Sequence, residues 1–225
     1  MNKKLSVIIT GATGMVGEGV LHVCLEHPMV EKVLIINRKS LGLTHPKLTE
    51  VIHADFYDLS AIEDRLKGYD ACYFCLGVSS VGMKEADYHK VTYKLTMHMA
   101  ELLARQNGEM IFCYVSGQGT DSSEQGRSMW ARIKGKTEND LAKLPFKKVY
   151  AYRPGFIKPI PGLSRTNSLY KYFNWLYPIG RFLYPNGFNT LKEIALSMLY
   201  VSAHDYPHWI MNGKEIAETA KLLRG

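Results

Sequence analysis

No stretch of this 225-residue chain holds the eighteen or so consecutive apolar residues that a bilayer-crossing helix needs. The opening Met1-Asn2-Lys3-Lys4 runs straight into an apolar strand pattern, with no charged-then-apolar leader. A cytoplasmic protein is the resulting default expectation. Cysteine is scarce: the four present suit a reducing compartment rather than a disulfide framework. Cys72 and Cys75 make a CxxC on paper. They fall in the strand pattern ACYFCLG, where residues three apart point to opposite faces, which argues against a redox or metal pair. Cys24 and Cys113 read as small core residues. There is no internal repeat and no low-complexity linker. The 28 basic and 21 acidic residues leave a formal charge of +7, but no compact basic repeat gathers it. Nucleic acid is therefore disfavoured as a partner. An anionic ligand, or peripheral contact with an anionic membrane, accounts for the excess equally well.

Apolar residues make up 46% of the chain, enough for a sizeable core. The length fits one domain with a small appendage. The chain is organised around Leu5 to Val20. Leu5 to Thr10 reads as a buried parallel strand. Gly11, Gly14 and Gly17 follow with G-x-x-G-x-x-G spacing, enclosing Thr13, Met15 and Val16, and an apolar-periodic helix begins there. Gly11 permits the tight turn out of the strand, Gly14 lets backbone approach a pyrophosphate, and Gly17 lets the helix pack on the sheet. The helix N-terminus offers unpaired N–H groups and partial positive charge to phosphates. Between a strand and a helix, this spacing points to a nicotinamide dinucleotide.

Lys32 to Asn37 is a second strand, followed by Arg38 and Lys39. An acid at this strand end would hydrogen-bond the ribose hydroxyls of NAD. A basic residue suits the 2′-phosphate, so NADP is expected ahead of NAD. Thr49 to Ala54 is a third strand, ending in Asp55-Phe56. Asp55 can accept from the adenine amino group and can also cap the next helix, Leu59 to Leu66. Asp70 to Leu76 is a fourth strand that ends at Gly77, another place where backbone can approach a cofactor. Lys84 to Gln106 reads as one long helix and Glu109 to Ser116 as a fifth strand. Arg127 to Leu144 is helical, with Glu138 and Asp140 expected to face out. Lys148 to Tyr152 is a sixth strand, closed by Arg153-Pro154-Gly155.

Strands alternating with helices define an α/β fold, a doubly wound parallel sheet of Rossmann type. Its ligands bind at the C-terminal ends of the strands, where Gly11, Arg38, Asp55, Gly77, Ser116 and Arg153 all fall. Residues 1–155 make the dinucleotide-binding domain. Residues 156–225 make a short helical appendage within the same compact unit. That appendage opens on an aromatic-rich stretch: Tyr170, Tyr172, Phe173, Trp175, Tyr177, Phe182, Tyr184 and Phe188. It reads as rings covering the sheet's C-terminal edge, with a substrate lid, dimer surface or membrane patch as alternatives. Leu191 to Ala203 is an amphipathic helix, His208 to Met211 a last short strand, and Glu215 to Leu223 a final helix.

The pieces Thr10-Gly11-Ala12-Thr13-Gly14-Met15-Val16-Gly17, Asn37-Arg38, Ala54-Asp55, Cys75-Leu76-Gly77, Val115-Ser116-Gly117, Lys134-Gly135-Lys136-Thr137-Glu138 and Tyr152-Arg153-Pro154-Gly155 together resemble the extended or atypical short-chain dehydrogenase/reductase superfamily. Within it the chain is most similar to the small Tat-interacting-oxidoreductase-like and epimerase-like members. The resemblance implies a Ser after the fifth strand and a Tyr-x-x-x-Lys on the next helix. In this sequence they fall on Ser116, position 130 and Lys134. It also places the cofactor along the quoted glycine, strand-end and Arg153-Pro154-Gly155 pieces, with Lys134 on its ribose. Position 130, however, is Trp. An indole N–H donates a hydrogen bond but does not titrate usefully, so it cannot complete the proton transfer expected of Tyr. The sequence leaves a water chain through Ser116 and Lys134, or a Tyr from the aromatic stretch, as replacement donor. It supports an NADP-dependent oxidoreductase acting on a small molecule. A non-catalytic NADP-binding sensor or partner-binding protein is the alternative, and a nucleotide-sugar epimerase is disfavoured by the short C-terminal part. No metal is expected, and a monomer and a dimer remain equally open.

Overall fold

The computed structural model describes residues 4–163, 180, 184 and 187–223. Its main sheet contains β1 (Leu5–Thr10), β2 (Val30–Asn37), β3 (Leu48–Ile52), β4 (Ala71–Phe74), β5 (Ile111–Val115), β6 (Lys148–Arg153) and β9 (Ile210–Asn212). The order is β3-β2-β1-β4-β5-β6-β9, and every pairing is parallel. The doubly wound architecture is thus present, and the strand order reverses between β1 and β4. Two short strands, β7 (Phe156–Lys158) and β8 (Phe188–Thr190), pair separately and in parallel. The sequence reading did not place them.

Both faces of the sheet are covered, which is why its strands lack the alternating pattern of a half-exposed sheet. Val7 and Ile9 face one core with α1 (Met15–Glu26) and α5 (Leu191–Ala203), while Ile8 faces the other with α3 (Leu95–Gln106). On the first face, α1 meets α5 so closely that a Cβ on Gly19 would lie 2.0 Å from Leu191 Cδ2. The capping box of Thr190 and Glu193 opens α5, and Asn212 with Glu215 does the same for α6 (Gly213–Leu222). The C-terminal part therefore supplies a sheet strand as well as helices. Of its aromatic stretch, residues 170–177 and 182 lie outside the described residues.

Two expectations about helices need correction. The pattern over Lys84 to Gln106 is α2 (Glu85–His89), a π turn (Lys90–Lys94) and then α3. A π turn keeps the chain helical, so a helical pattern alone does not separate it from the α segments on either side. On α4 (Met129–Leu141), Glu138 does not face out: it is completely buried. Asp140 is also largely covered, at 16% side-chain exposure. It accepts from Tyr93 Oη (2.8 Å), Lys136 Nζ (2.8 Å) and Lys143 Nζ (2.7 Å). Burial pushes its pKa up, but these bonds outweigh burial and leave it below the usual carboxylate range.

Candidate functional site

A cleft of about 450 Å³ opens at the C-terminal ends of β1 to β4, where the strand order reverses. Ligands bind at this point in open α/β sheets. Of the residues singled out in the sequence, it brings together Gly11, Thr13, Gly14, Arg38, Asp55, Phe56, Leu76 and Gly77. It adds Asn37, Tyr57 and Val78 from the same strand ends, and Val91 and Leu95 from the π turn and the start of α3. Met15, Val16, Gly17, Lys39, Ser116, Trp130, Lys134, Arg153, Pro154 and Gly155 do not line it. A larger cavity of about 660 Å³ touches Leu5, Asp70, Ile111 and His204, at the opposite end of the sheet from this chemistry.

The glycines separate by what they answer to. Gly11 has φ +70°, and a Cβ there would lie 2.7 Å from the Cys75 backbone. A Cβ on Gly17 would lie 2.2 Å from Gly11 O, so the strand–helix contact itself requires glycine. Gly14 is different. Its backbone is extended (φ −100°, ψ 163°), and its Cβ would meet only Gly11 O, at an ordinary 3.4 Å. The fold does not demand glycine at 14, and the residue lines the cleft. The N-cap of α1 is Gly14, which has no side chain to cap the helix. A diphosphate fits this open cradle.

Arg38 lies at the cleft wall and is exposed, as is Lys39 beside it. Asp55 Oδ1 accepts from Tyr57 N at 2.8 Å. It does not cap the following helix: the Ser60 amide that opens that helix goes to Asp58 Oδ1 at 3.0 Å. The Tyr57 hydroxyl donates to Lys90 O at 3.1 Å, which ties this wall to the π turn. Burial, with the nearby Asp55 charge, pushes the Tyr57 pKa up and keeps it a neutral donor.

Ser116 follows β5, one strand further along the sheet. Its hydroxyl donates to Tyr152 O at 3.0 Å and is buried. Lys134 Nζ donates to the Ser116 carbonyl. Burial pushes the Lys134 pKa down, and the Glu138 charge partly offsets this. Trp130 lies one turn before Lys134 on α4, and its ring carbons Cη2 and Cζ2 cover Gly119 in the loop after β5. That loop is also tied to β6, because Gln118 N donates to Pro154 O at 2.9 Å. Gln118 Nε2 in turn donates to the Tyr184 hydroxyl at 2.8 Å. One aromatic residue of the C-terminal stretch therefore reaches the loop that carries Ser116. No local pattern in the sequence signals this contact, because the two residues are far apart in the chain.

Arg153 is committed elsewhere. Its Nε donates to both Glu138 oxygens (3.0 and 3.1 Å), Nη2 pairs with Glu138 Oε2, and Nη2 also donates to Ser122 Oγ at 2.5 Å. This buried pair locks α4, and with it Lys134, to the end of β6. Glu138→Ala should cost about 3 kcal/mol, since removing one partner leaves a mostly buried charge uncompensated. Arg153 keeps 13% side-chain exposure, which places the cost at the low end of the usual range. Urea denaturation measures it, and a loss below about 1 kcal/mol would show that the pair does not hold the helix.

The reversed strand order, the glycine cradle and the uncapped helix together define a dinucleotide-binding Rossmann-type α/β protein. The chain belongs to the NAD dependent epimerase/dehydratase family, whose pattern matches residues 7–139. It is 26% identical over 155 residues to a protein of Scheffersomyces stipitis named FMP52-1, mitochondrial, covering 68% of this chain and 67% of that one. It is 27% identical to HTATIP2 of Rattus norvegicus, over 68% of this chain and 62% of the relative. The matches thus span about two thirds of each relative. Among solved structures, the fold resembles a UDP-N-acetylglucosamine 4-epimerase from Methanobrevibacter ruminantium, with a TM-score of 0.66, 16% identity, and 96% of this chain and 81% of that one covered. It equally resembles the Bordetella bronchiseptica enzyme WbmF in complex with NAD+ (TM-score 0.66, 17% identity, 99% and 78% covered). The expectation of a cytoplasmic protein does not stand. Fungal relatives from Scheffersomyces stipitis and Aspergillus are named as mitochondrial, so compartment does not follow from the first four residues.

Proposed function

We propose that this chain is an NADPH-dependent reductase of a small carbonyl compound, with its proton donor moved off α4. The cofactor assignment is carried by Arg38, which lines the cleft just past β2, in a stretch (Asn37 to Ser40) that carries no acid of its own. Gly11 and Gly14 would hold the diphosphate, Asp55 and Tyr57 would border the adenine, and Arg38 would pair with the 2′-phosphate. When bound, the nicotinamide supplies a hydride.

The proton is assigned to Tyr184. Its oxygen accepts from Gln118 Nε2, so its own O–H remains to be donated, and the residue is 52% exposed. Tyr184 would pass its proton to the carbonyl oxygen of the substrate and recover it from water. Lys134 and Ser116 hold the loop rather than the proton. A second reading, a cofactor-binding sensor without turnover, draws on the engagement of the Ser116 hydroxyl with Tyr152 and on Trp130.

Calorimetry should show NADPH binding more tightly than NADH. A charge-assisted pair is worth about 1.5 to 3 kcal/mol, or roughly a tenfold to hundredfold preference. Arg38→Ala should remove most of it. Equal affinities in the wild type would refute the assignment, and tight binding without turnover of any aldehyde, ketone or quinone would favour the sensor.

A further inference from the structure

We propose that Glu50 is a specificity-determining positioning residue, whose carboxylate gathers the loop after β2 so that Arg38 is presented to the 2′-phosphate. The inference rests on the reading of the cleft as an NADP(H) site. Glu50 lies in β3, paired with Ile35 of β2. Its Oε1 accepts from Asn37 Nδ2 and from Leu41 N, both at 2.9 Å, and its Oε2 accepts from Ser40 Oγ at 2.5 Å. The three donors flank Arg38 and Lys39 on both sides. The chain is thus pinned before and after the two cations, which stand exposed between the ties.

Two consequences follow. An acid is close to the strand end where NAD-type sites use one, but three of its roughly four lone-pair sites are taken by the loop rather than offered to ribose hydroxyls. Arg38 is also held by ordered backbone, so less freedom is lost when it pairs with a phosphate. Burial pushes the Glu50 pKa up, but the hydrogen bonds from Ser40, Leu41 and Asn37 outweigh it and leave the group ionised at neutral pH.

The probes are 2′,5′-ADP and 5′-AMP, which differ only in the 2′-phosphate, titrated calorimetrically into the whole protein. The wild type should favour 2′,5′-ADP by roughly tenfold to hundredfold. Glu50→Ala should cut that ratio by about tenfold through weaker 2′,5′-ADP binding, with 5′-AMP unchanged. Glu50→Gln retains an oxygen for Asn37 and Leu41 and an amide for Ser40 Oγ, so its ratio should stay within about threefold of wild type. Ser40→Ala, at an exposed residue, removes the tie to Glu50 and the Gly42 N–H bond to the same hydroxyl, and should lower the ratio by about threefold even if Glu50→Ala proves too unstable to titrate. A ratio unchanged in folded Glu50→Ala or in Ser40→Ala overturns the proposal. So does a rise in 2′,5′-ADP affinity in Glu50→Ala and Glu50→Gln alike, which would mean that the acid merely repels the phosphate. A wild-type ratio near one would instead defeat the NADP(H) reading itself.

Discussion

Gly14→Val should abolish dinucleotide binding in a protein that still folds. The structure separates these two effects. Gly14 has the extended backbone that β-branched residues prefer, and its Cβ would meet only one oxygen, at 3.4 Å. Valine is a poorer N-cap than glycine, so the expected loss of stability is about 1 kcal/mol. The new methyl groups enter the cradle between the end of β1 and the first turn of α1, which a diphosphate would need. Calorimetry with NADPH and NADH should therefore register no binding, while the thermal midpoint stays within a few degrees of wild type, as a loss of that size implies. Gly17→Val is the contrasting variant. Its Cβ would lie 2.2 Å from Gly11 O, so it should fail to fold rather than merely fail to bind. Unchanged cofactor affinity in a folded Gly14→Val protein would sink the assignment of this cleft.

What could be read from the sequence was local. Gly11, Arg38, Asp55 and Gly77 each sit where an apolar run stops, and a parallel sheet collects such ends on one edge, so their meeting in one cleft followed from topology alone. Ser116 and Arg153, read from the same rule, do not line that cleft. Glu138 was misread because a charged helix position looks solvent-facing until its partner is known. That partner, Arg153, lies on another element and reaches it only in the fold. Val91 and Leu95 were missed for a similar reason: helical periodicity marks them as apolar but does not say that they face a cleft. Glu50 was passed over within the third strand, and only the loop folded over it reveals three donors. Trp130 was legible as a departure from a motif, and a Tyr from the aromatic stretch was one of the replacement donors left open. Which Tyr reaches the loop was not legible, because Tyr184 meets Gln118 only in the fold.

Moving the phenol back to α4 tests that last point. In Tyr184→Phe, carbonyl reduction by NADPH should fall by about 10² to 10⁴, the usual contribution of a positioned acid, with NADPH affinity unchanged. Adding Trp130→Tyr should restore much of the loss. Residues 130 and 134 share one helix face, so the new hydroxyl stands beside Lys134, whose charge favours the phenolate left after proton transfer. Lys134→Ala in the same background should remove the gain. Trading indole for phenol leaves a gap over Gly119, so thermal melts must first show that each variant is folded. A wild type that binds NADPH but reduces nothing points to the sensor, and turnover appearing in Trp130→Tyr alone would then identify the indole as the lost acid. If Trp130→Tyr instead slows an active wild type and fails to rescue Tyr184→Phe, the indole belongs to the working site. Its N–H would then polarise the carbonyl, and neither the rescue nor the account of Trp130 as a vacant donor position would stand.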